Sequence, residues 1–468
     1  MNASQGNKLS KSEKWSSILL LSTFAIVLLI FKLVLINKYA NATPFWDQWD
    51  AEAAFLFLPW VEGTLKWSDL IAPHNEHRIL LTRLLALGLL ELNGRVWNPI
   101  LEMRVNAALH VLSLTILLNF LSKTFNFKNK ISLLIFTLVI FLIPFGWENT
   151  LAGFQSAFYF LLLFSFIFLY TISTCQIFTR SWWLGVLAGV LSVFSIASGA
   201  VTLLAGVVIL IIRYYIEKKD LLHTTKAIVI LSSFGIFAIY STLHIKLADT
   251  LKADTVNAFL QALATALSWP TMNSSFGWLI IYAPAIYICI KLIRSEHYRR
   301  PLHVYIFTLF VWVLAQSVIL AYGRVTTPTS SRYLDLLLIG LIVNFAGILV
   351  VFQTSEISIK MKYFFSILLI SWIAIVMQGL YERIEDVKQA LVRKQLVGLD
   401  QERNVRAYLC DQKVEHLNNK LFLEIPYPDP ERLKNLIDNK AIRALLPGNI
   451  YEPNISKYIK SNAKWHCV

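Results

Sequence analysis

The chain has 468 residues, of which 56% are hydrophobic and only 15% are charged, and its mean hydropathy is +0.57. This composition excludes a soluble globular protein and predicts an all-α polytopic membrane protein. The formal net charge of +14 does not indicate a nucleic-acid partner, because most Lys and Arg residues fall in short loops between apolar runs, as the positive-inside rule predicts.

The N-terminal residues 1–15 contain three lysines and precede an apolar run at about 16–36, which is long enough for one membrane span. Lysines ahead of a first span favour a cytoplasmic N-terminus. The competing interpretation is a cleaved signal peptide, since Ala40 and Ala42 form a small-residue pair, but the apolar run is long for such a peptide.

With the N-terminus inside, residues 37–99 form the first extracytoplasmic loop. Within this loop, residues 50–63 and 79–92 are apolar on one side and interrupted by charge on the other. This pattern predicts two amphipathic helices that lie at the membrane interface.

Apolar runs and basic loops alternate along the rest of the membrane region, and every basic cluster agrees with one orientation. The stretch 183–212 is too long for one crossing and is broken at Ser198 and Gly199, so it predicts two spans. The sequence therefore predicts about eleven spans within residues 16–380, at about 16–36, 100–121, 131–145, a run that ends before Arg180, two in 183–212, 227–245, 276–293, 302–321, 334–352 and 363–380.

The last 88 residues, 381–468, are polar, with helical periodicity from 381 to about 412 and prolines beyond it. They predict a small, mainly α-helical extracytoplasmic region. Cys410 and Cys467 would be able to form a disulfide if this region lies in an oxidising compartment. Cys175 and Cys289 lie in apolar runs, where cysteine is usually a packing residue.

The loops on the extracytoplasmic side contain polar residues of the kinds that catalysis needs. Carboxylates deprotonate hydroxyl groups or hold divalent cations, and arginines bind phosphate through two parallel hydrogen bonds. The candidates are Asp47, Asp50, His74, Glu76, His77 and Arg78 in the first loop, Glu148 and Gln155 in the second, and Arg324, Arg332 and Tyr333 in the fifth. We assign no metal-ligating residues, since the sequence has neither an HExxH motif nor zinc-type Cys and His spacing.

Each group of candidates also has a structural interpretation that the residues leave open. Asp47 and Asp50 are of a type that often caps a helix, and the cluster around Glu76 is consistent with a solvated loop. Arg324 and Arg332 are consistent with lipid headgroup contacts.

Glu102, Asn106 and His110 share one face of the second span. Such a polar stripe favours either a cavity or a network of hydrogen bonds between helices.

The segment FWDQWD after the first span, followed by interfacial helices, about eleven spans and an extracytoplasmic tail, resembles the GT-C superfamily of integral membrane glycosyltransferases. The segments PHNEHRI, GWENTLAGFQSAFY, GRVTTPTSSRY and IPYPDPERL resemble bacterial polytopic proteins of the same type, which modify surface polysaccharides such as O-antigen or lipid-linked glycans. The resemblance implies a location in the bacterial inner membrane and covers nearly the whole chain as an architecture.

This resemblance implies an inverting transfer of a sugar from a polyprenyl-phosphate donor to a hydroxyl group of a glycan or glycolipid. Asp47 matches the acidic residue that acts as base, with Asp50 as the weaker candidate and Glu76 or Glu148 as a second acid. Arg324 and Arg332 are then expected to bind the donor phosphate.

The acidic pair is DxxD, where well-defined members of the superfamily have a contiguous or DxD pair, so a requirement for Mg²⁺ or Mn²⁺ stays open. The alternative function is a transporter or flippase of a lipid-linked or free saccharide. A transporter is expected to place its ionisable residues near the middle of several spans, whereas most candidates here lie in loops.

Overall fold

A computed structural model describes residues 11–123, 125–217, 220–243, 251–271, 276–295, 299–353 and 359–451. This part of the chain is helical and contains no β-strand. A π-helix spans Gln48–Phe57, and short 3₁₀ turns lie at Gly153–Gln155 and Val414–His416. The α-helices are α1 Lys11–Tyr39, α2 Leu58–Val61, α3 Trp67–Ile71, α4 Leu80–Leu92, α5 Pro99–Ser122, α6 Phe127–Phe141, α7 Trp147–Thr150, α8 Ser156–Thr174, α9 Arg180–Val193, α10 Gly199–Glu217, α11 Leu221–Leu243, α12 Val256–Ser268, α13 Gly277–Arg294, α14 Pro301–Gly323, α15 Ser331–Gln353, α16 Ile359–Glu382, α17 Ile384–Asp411, α18 Pro430–Asp438, α19 Lys440–Leu445 and α20 Gly448–Tyr451.

Nine helices of the described residues are long and apolar enough to cross a membrane: α1, α5, α8, α10, α11, α13, α14, α15 and the continuous stretch of α16 and α17. This confirms an all-α architecture of the multi-pass membrane type. The predicted count of about eleven also included α6 and α9, which have 15 and 14 residues. Because a straight crossing needs roughly 20 residues, the count of eleven stays a prediction.

The membrane helices pack around one large apolar core, in which α15 is the most enclosed helix. Hydroxyl groups join neighbouring helices inside this core, as is common where lipid removes the hydrophobic drive for helices to associate. Ser165 of α8 lies 2.7 Å from Thr202 of α10, and Trp312 of α14 donates to Thr202 at 3.0 Å. These hydrogen bonds therefore connect α8, α10 and α14 inside the core.

The first loop and the C-terminal region form a second apolar core of their own. Trp49 and Phe57 of the π-helix pack with Trp97, and Tyr408 of α17 and Leu433 of α18 belong to the same cluster. The C-terminal region is thus packed against the first loop. Helix α17 covers the predicted periodic stretch to within a few residues.

Both predicted interfacial segments are helical, but the first is not an exposed amphipathic helix. The π-helix buries seven of its ten residues, including Trp49 and Glu52, against protein. Most of the π-helix is therefore packed against protein, because its apolar residues join the second core, and a position at the membrane interface stays a prediction. Helix α4 keeps Leu84 and Leu92 exposed.

Two of the four cysteines, Cys175 and Cys289, are free thiols. Cys467 lies outside the described residues, and the predicted pairing with Cys410 therefore does too.

Candidate active site

Asp47 stands at the end of a strained aromatic segment. Trp46 has a φ of 54°, which is rare for a large side chain and is held by a hydrogen bond of 2.7 Å from its backbone N–H to the carbonyl of Pro426. Asp47 then precedes the π-helix, but its side chain makes no capping hydrogen bond. Its carboxylate is 36% exposed and lies 3.6 Å from Nε2 of His74. The capping interpretation of Asp47 is therefore wrong.

A tight turn at residues 74–77 positions His74 and Glu76. The backbones of His74 and His77 exchange two hydrogen bonds of 2.8 and 2.9 Å, and Asn75 takes a left-handed conformation with φ 47°. Nδ1 of His77 accepts a hydrogen bond of 3.3 Å from the backbone N–H of Ala197. The ring proton of neutral His77 is therefore on Nε2, which lies 3.5 Å from Glu76.

Arg324 joins this turn to the fifth loop. It donates from Nη2 to Glu76 and from Nε to the Tyr333 hydroxyl oxygen at 2.8 Å. A third nitrogen, Nη1, donates to the Gly323 carbonyl at 2.7 Å. The guanidinium is thus held in one orientation by residues from two distant loops.

The charge states of this cluster follow from burial and from the ion pair. Burial lowers the pKa of His77 to about 4, against the opposing effect of Glu76, so His77 is neutral at pH 7. Burial acts to raise the pKa of Glu76, but His77 and Arg324 outweigh it and the pKa lies below its ordinary value. Burial acts to lower the pKa of Arg324, whereas Tyr333 and Glu76 raise it overall. Glu76 and Arg324 are therefore an ionised pair at neutral pH.

These residues surround one cavity of about 260 Å³. Most of the candidates predicted from the sequence line it, namely Asp47, His74, Glu76, His77, Gln155, Arg324, Arg332 and Tyr333. The rest of its wall is largely apolar. It comes from helices of the membrane core, at Phe158, Leu161, Ile319, Leu320 and Leu336, and from Ile196 between α9 and α10. The cavity thus combines a charged mouth with an aliphatic wall.

Three predicted residues do not line this cavity. Asp50 accepts hydrogen bonds from the Tyr427 hydroxyl and from Arg432 at 2.9 and 3.2 Å, which ties the π-helix to α18. Arg78 donates to the carbonyl of Ile71 at 2.7 Å. The structure thus gives Asp50 and Arg78 structural contacts.

Glu148, the third of these residues, lies on α7, and its side chain contacts the start of α15. Its carboxylate accepts hydrogen bonds from the hydroxyl groups of Ser330 and Ser331 and from the backbone N–H of Arg332, at 2.7 to 3.1 Å. It also lies 3.6 Å from Nη2 of Arg332. An acid at this position accepts hydrogen bonds from N–H groups that have no partner within the helix, and its negative charge interacts favourably with the helix dipole.

The polar stripe of α5 is a buried network that lines no sizeable cavity. Glu102 accepts from Gln48 at 2.8 Å, and Asn106 donates to the Gly153 carbonyl at 2.6 Å. His110 stacks on Tyr159 with ring centroids 4.3 Å apart. The space beside Glu102 and Asn106 is only about 10 Å³, too little to hold more than one water.

The sequence interpretation missed Glu52, which lies next to this network. Its carboxylate accepts from Gln48 at 2.8 Å and from Trp97 at 3.1 Å, and burial raises its pKa to about 7.

Lys32 and Asp335 were also missed, and they lie buried in α1 and α15. Lys32 donates to Thr150 at 3.0 Å, and Asp335 accepts from Asn149 at 3.0 Å. Asn149 also donates to the Arg332 carbonyl at 2.8 Å. The sequence contained a signal for both residues, because a charged residue inside an apolar run indicates a functional polar site.

Within the described residues, no three or more His, Cys, Asp and Glu side chains are grouped so that they could hold a metal ion. Comparison of the chain with protein-family models and with curated proteins found no match. The geometry of the cavity is therefore the observation that bears on function.

Proposed function

We propose that this protein is a polyprenyl-phosphate-sugar-dependent glycosyltransferase of the GT-C type. The observation that carries the proposal is that Asp47 and Arg324 line the same cavity as aliphatic side chains of the membrane helices. A lipid-linked phosphate needs an apolar wall for its chain and a cation for its head. Ile319 and Tyr322, which line the cavity from α14, are 45% and 49% exposed, so a lipid chain is able to contact them.

The proposed reaction is a single displacement. Asp47 takes the proton from an acceptor hydroxyl, whose oxygen forms a bond to the anomeric carbon of the donor sugar. The bond between that carbon and the phosphate oxygen breaks, and polyprenyl phosphate leaves with the electron pair. The acceptor approaches from the face opposite the phosphate, so the anomeric configuration inverts.

Arg324 is placed to stabilise the charge that develops on the leaving phosphate. A guanidinium has five N–H groups, and among the described residues three of those of Arg324 are used by Glu76, Tyr333 and Gly323. The two remaining N–H groups are available to phosphate oxygens. Because Glu76 and Tyr333 hold the guanidinium before substrate binds, little reorganisation is needed in the transition state.

In this proposal the donor is a polyprenyl-phosphate sugar and the acceptor is a surface glycan or glycolipid. The reaction takes place at the extracytoplasmic face of a bacterial inner membrane, with the N-terminus in the cytoplasm and the C-terminal region outside. Any Mg²⁺ or Mn²⁺ that takes part would have Asp47 and Glu76 as the nearest carboxylates of the cavity.

The test is transfer of labelled sugar from a panel of polyprenyl-phosphate donors to membrane glycolipids. We expect Asp47→Asn to lose at least about 10³-fold in rate, since it removes the base and keeps the size of the side chain. Asp69→Asn changes a half-buried acid on α3 that does not line the cavity; it is the matched control and should keep its rate. Full activity of Asp47→Asn would exclude Asp47 as the base.

The buried charges Lys32 and Asp335 favour the second candidate, a transporter or flippase of a saccharide. Asp335, however, is the fifth residue of α15, and Lys32 lies seven residues before the end of α1. With a rise of about 1.5 Å per residue, Asp335 is within roughly 10 Å of the start of α15, which lines the cavity, and Lys32 is about as far from the end of α1, which precedes Asp47. Saccharide uptake into vesicles that contain the protein, without any transfer, would favour the transporter.

A further inference from the structure

A second cavity has a volume of about 730 Å³. It lies between Phe45 and Trp46 before the π-helix, the short helix α7 that begins at Trp147, and helix α17. It shares Asp47, Phe154, Gln155 and Arg332 with the first cavity, so the two spaces meet at the proposed base. The proposed binding of the donor phosphate does not use it. A molecule held in the second cavity is therefore able to present a hydroxyl to Asp47 while the donor occupies the first.

Aromatic side chains form much of the wall of the second cavity. The Trp46 ring packs edge-on against Phe422 at 5.5 Å and at a tilt against Phe45 at 5.6 Å. The left-handed backbone of Trp46 is strained for a large side chain, and such strain is commonly retained at functional sites. Aromatic faces suit the C–H faces of a sugar ring, because both are apolar.

The same wall contains two cations from α17. The ammonium of Lys394 lies 3.9 Å from the centroid of the Phe45 ring, and Arg393 beside it is exposed. In the part of the chain that the structure describes, neither side chain forms an ion pair with a carboxylate. Burial lowers the pKa of Lys394 to about 8, although Glu148 acts to raise it, so most of the lysine is charged at pH 7.

The carboxylates that line the second cavity are already engaged elsewhere. Glu148 binds the start of α15 and Arg332, as described above. Asp386 lies 3.9 Å from Arg383, and Asp47 faces His74. A half-buried cation without a paired anion loses part of its hydration without compensation, and an anion supplied by a ligand would offset that loss.

We propose that the second cavity binds a saccharide that carries an anionic group, a carboxylate or a phosphate, with Lys394 as its counter-charge. The proposal rests on the transferase function in one respect, since it makes this saccharide the acceptor. Phe45 and Trp46 contact the sugar ring, and Lys394 fixes the anionic group so that a hydroxyl points to Asp47. Neutral sugars bind the same aromatic wall more weakly.

The test is binding of three soluble probes to the full-length protein in nanodiscs, followed by saturation-transfer NMR at low and high salt. The probes are glucose, glucuronic acid and glucose 6-phosphate. We expect at least one anionic probe to bind about 10-fold more tightly than glucose at low salt and to lose this preference at high salt. A preference for glucuronic acid alone assigns a carboxylate, and a preference for glucose 6-phosphate alone assigns a phosphate.

Variants connect the preference to Lys394. Lys394→Met should abolish it and keep glucose binding, which shows that the variant is folded, and Lys394→Arg should retain it. Lys388→Met on the exposed face of α17 is the matched control and should behave as the unmodified protein. Equal binding of all three probes, or a preference that survives Lys394→Met, would overturn the proposal.

The binding measurement needs no donor and no turnover. Asp47→Asn should keep the preference for the anionic probe. If this variant also keeps full transfer activity, the proposed base is wrong while the anion site stands.

Discussion

Arg324, directly after α14, donates a hydrogen bond to Glu76, which lies 248 positions earlier in the chain. The pair connects the turn of the first loop to the start of the fifth loop, and Tyr333 holds the same guanidinium from the other side. Because Glu76 stays ionised, the pair keeps a fixed cation in the cavity at neutral pH. This relationship gives the first of four predictions.

Replacing Arg324 with lysine keeps the charge but removes the planar donor fork. We expect Arg324→Lys to lower kcat for sugar transfer by about 10²-fold with a smaller effect on KM, because the lost contacts act mainly in the transition state. Steady-state kinetics with a fixed donor checks this. Arg104→Lys, an exposed arginine that donates to Asn37, serves as the control. Unchanged kcat in Arg324→Lys would contradict the proposed role.

The lowered pKa of His77 leads us to expect that the stability of the protein depends on pH. Its folded-state pKa of about 4 lies below the ordinary value of 6.5, so the unfolded chain binds more protons between these values. Stability is therefore lost as the pH falls from about 6.5 to 4, with a slope of up to about 1.4 kcal/mol per pH unit from this group. His77→Asn removes the titrating group and should flatten the fall in thermal midpoint over that range. An equally steep fall in the variant would exclude His77 as its source.

We expect Asp50 and Arg432 to be coupled in stability but to have no direct effect on the rate of sugar transfer. Their contact joins the π-helix to α18, and Arg432 is 41% exposed, so we expect a coupling energy of only about 0.5–1 kcal/mol. A double-mutant cycle with Asp50→Asn and Arg432→Met, read from thermal unfolding, measures it. Both single variants should retain most of the transfer rate. A loss in Asp50→Asn as large as that in Asp47→Asn would restore Asp50 as a catalytic candidate.

Because the charges of Lys32 and Asp335 are buried together, we expect the stability losses of their single substitutions to be strongly non-additive. Both are almost fully buried and interact electrostatically, and their partners Thr150 and Asn149 are adjacent on α7. Lys32→Met leaves Asp335 buried without its cation. We therefore expect the free energy of unfolding to fall by about 3–5 kcal/mol. The double variant with Asp335→Leu should lose less than the sum of the two single variants. Additive losses would show that the two charges are independent.

Much of the fold was predictable because the relevant signals are local. Apolar runs predicted the membrane helices, and polar periodicity predicted the long helix that the structure places at Ile384–Asp411. The predicted break at Ser198 and Gly199 falls between α9 and α10. The number of crossings was less predictable, since α6 and α9 are apolar but short and composition alone does not say whether a short helix crosses.

The sequence by itself determined that this is a helical protein of the multi-pass membrane type, with most of its candidate acids and arginines in loops between the apolar runs. Only the tertiary structure decided which of them meet. Asp47 and Asp50 are of one type and three residues apart, yet one faces the cavity and the other binds Arg432, 382 positions away. The physical reason is that helix and span signals depend on neighbours along the chain, whereas the environment of a carboxylate depends on residues that packing brings from distant helices and loops.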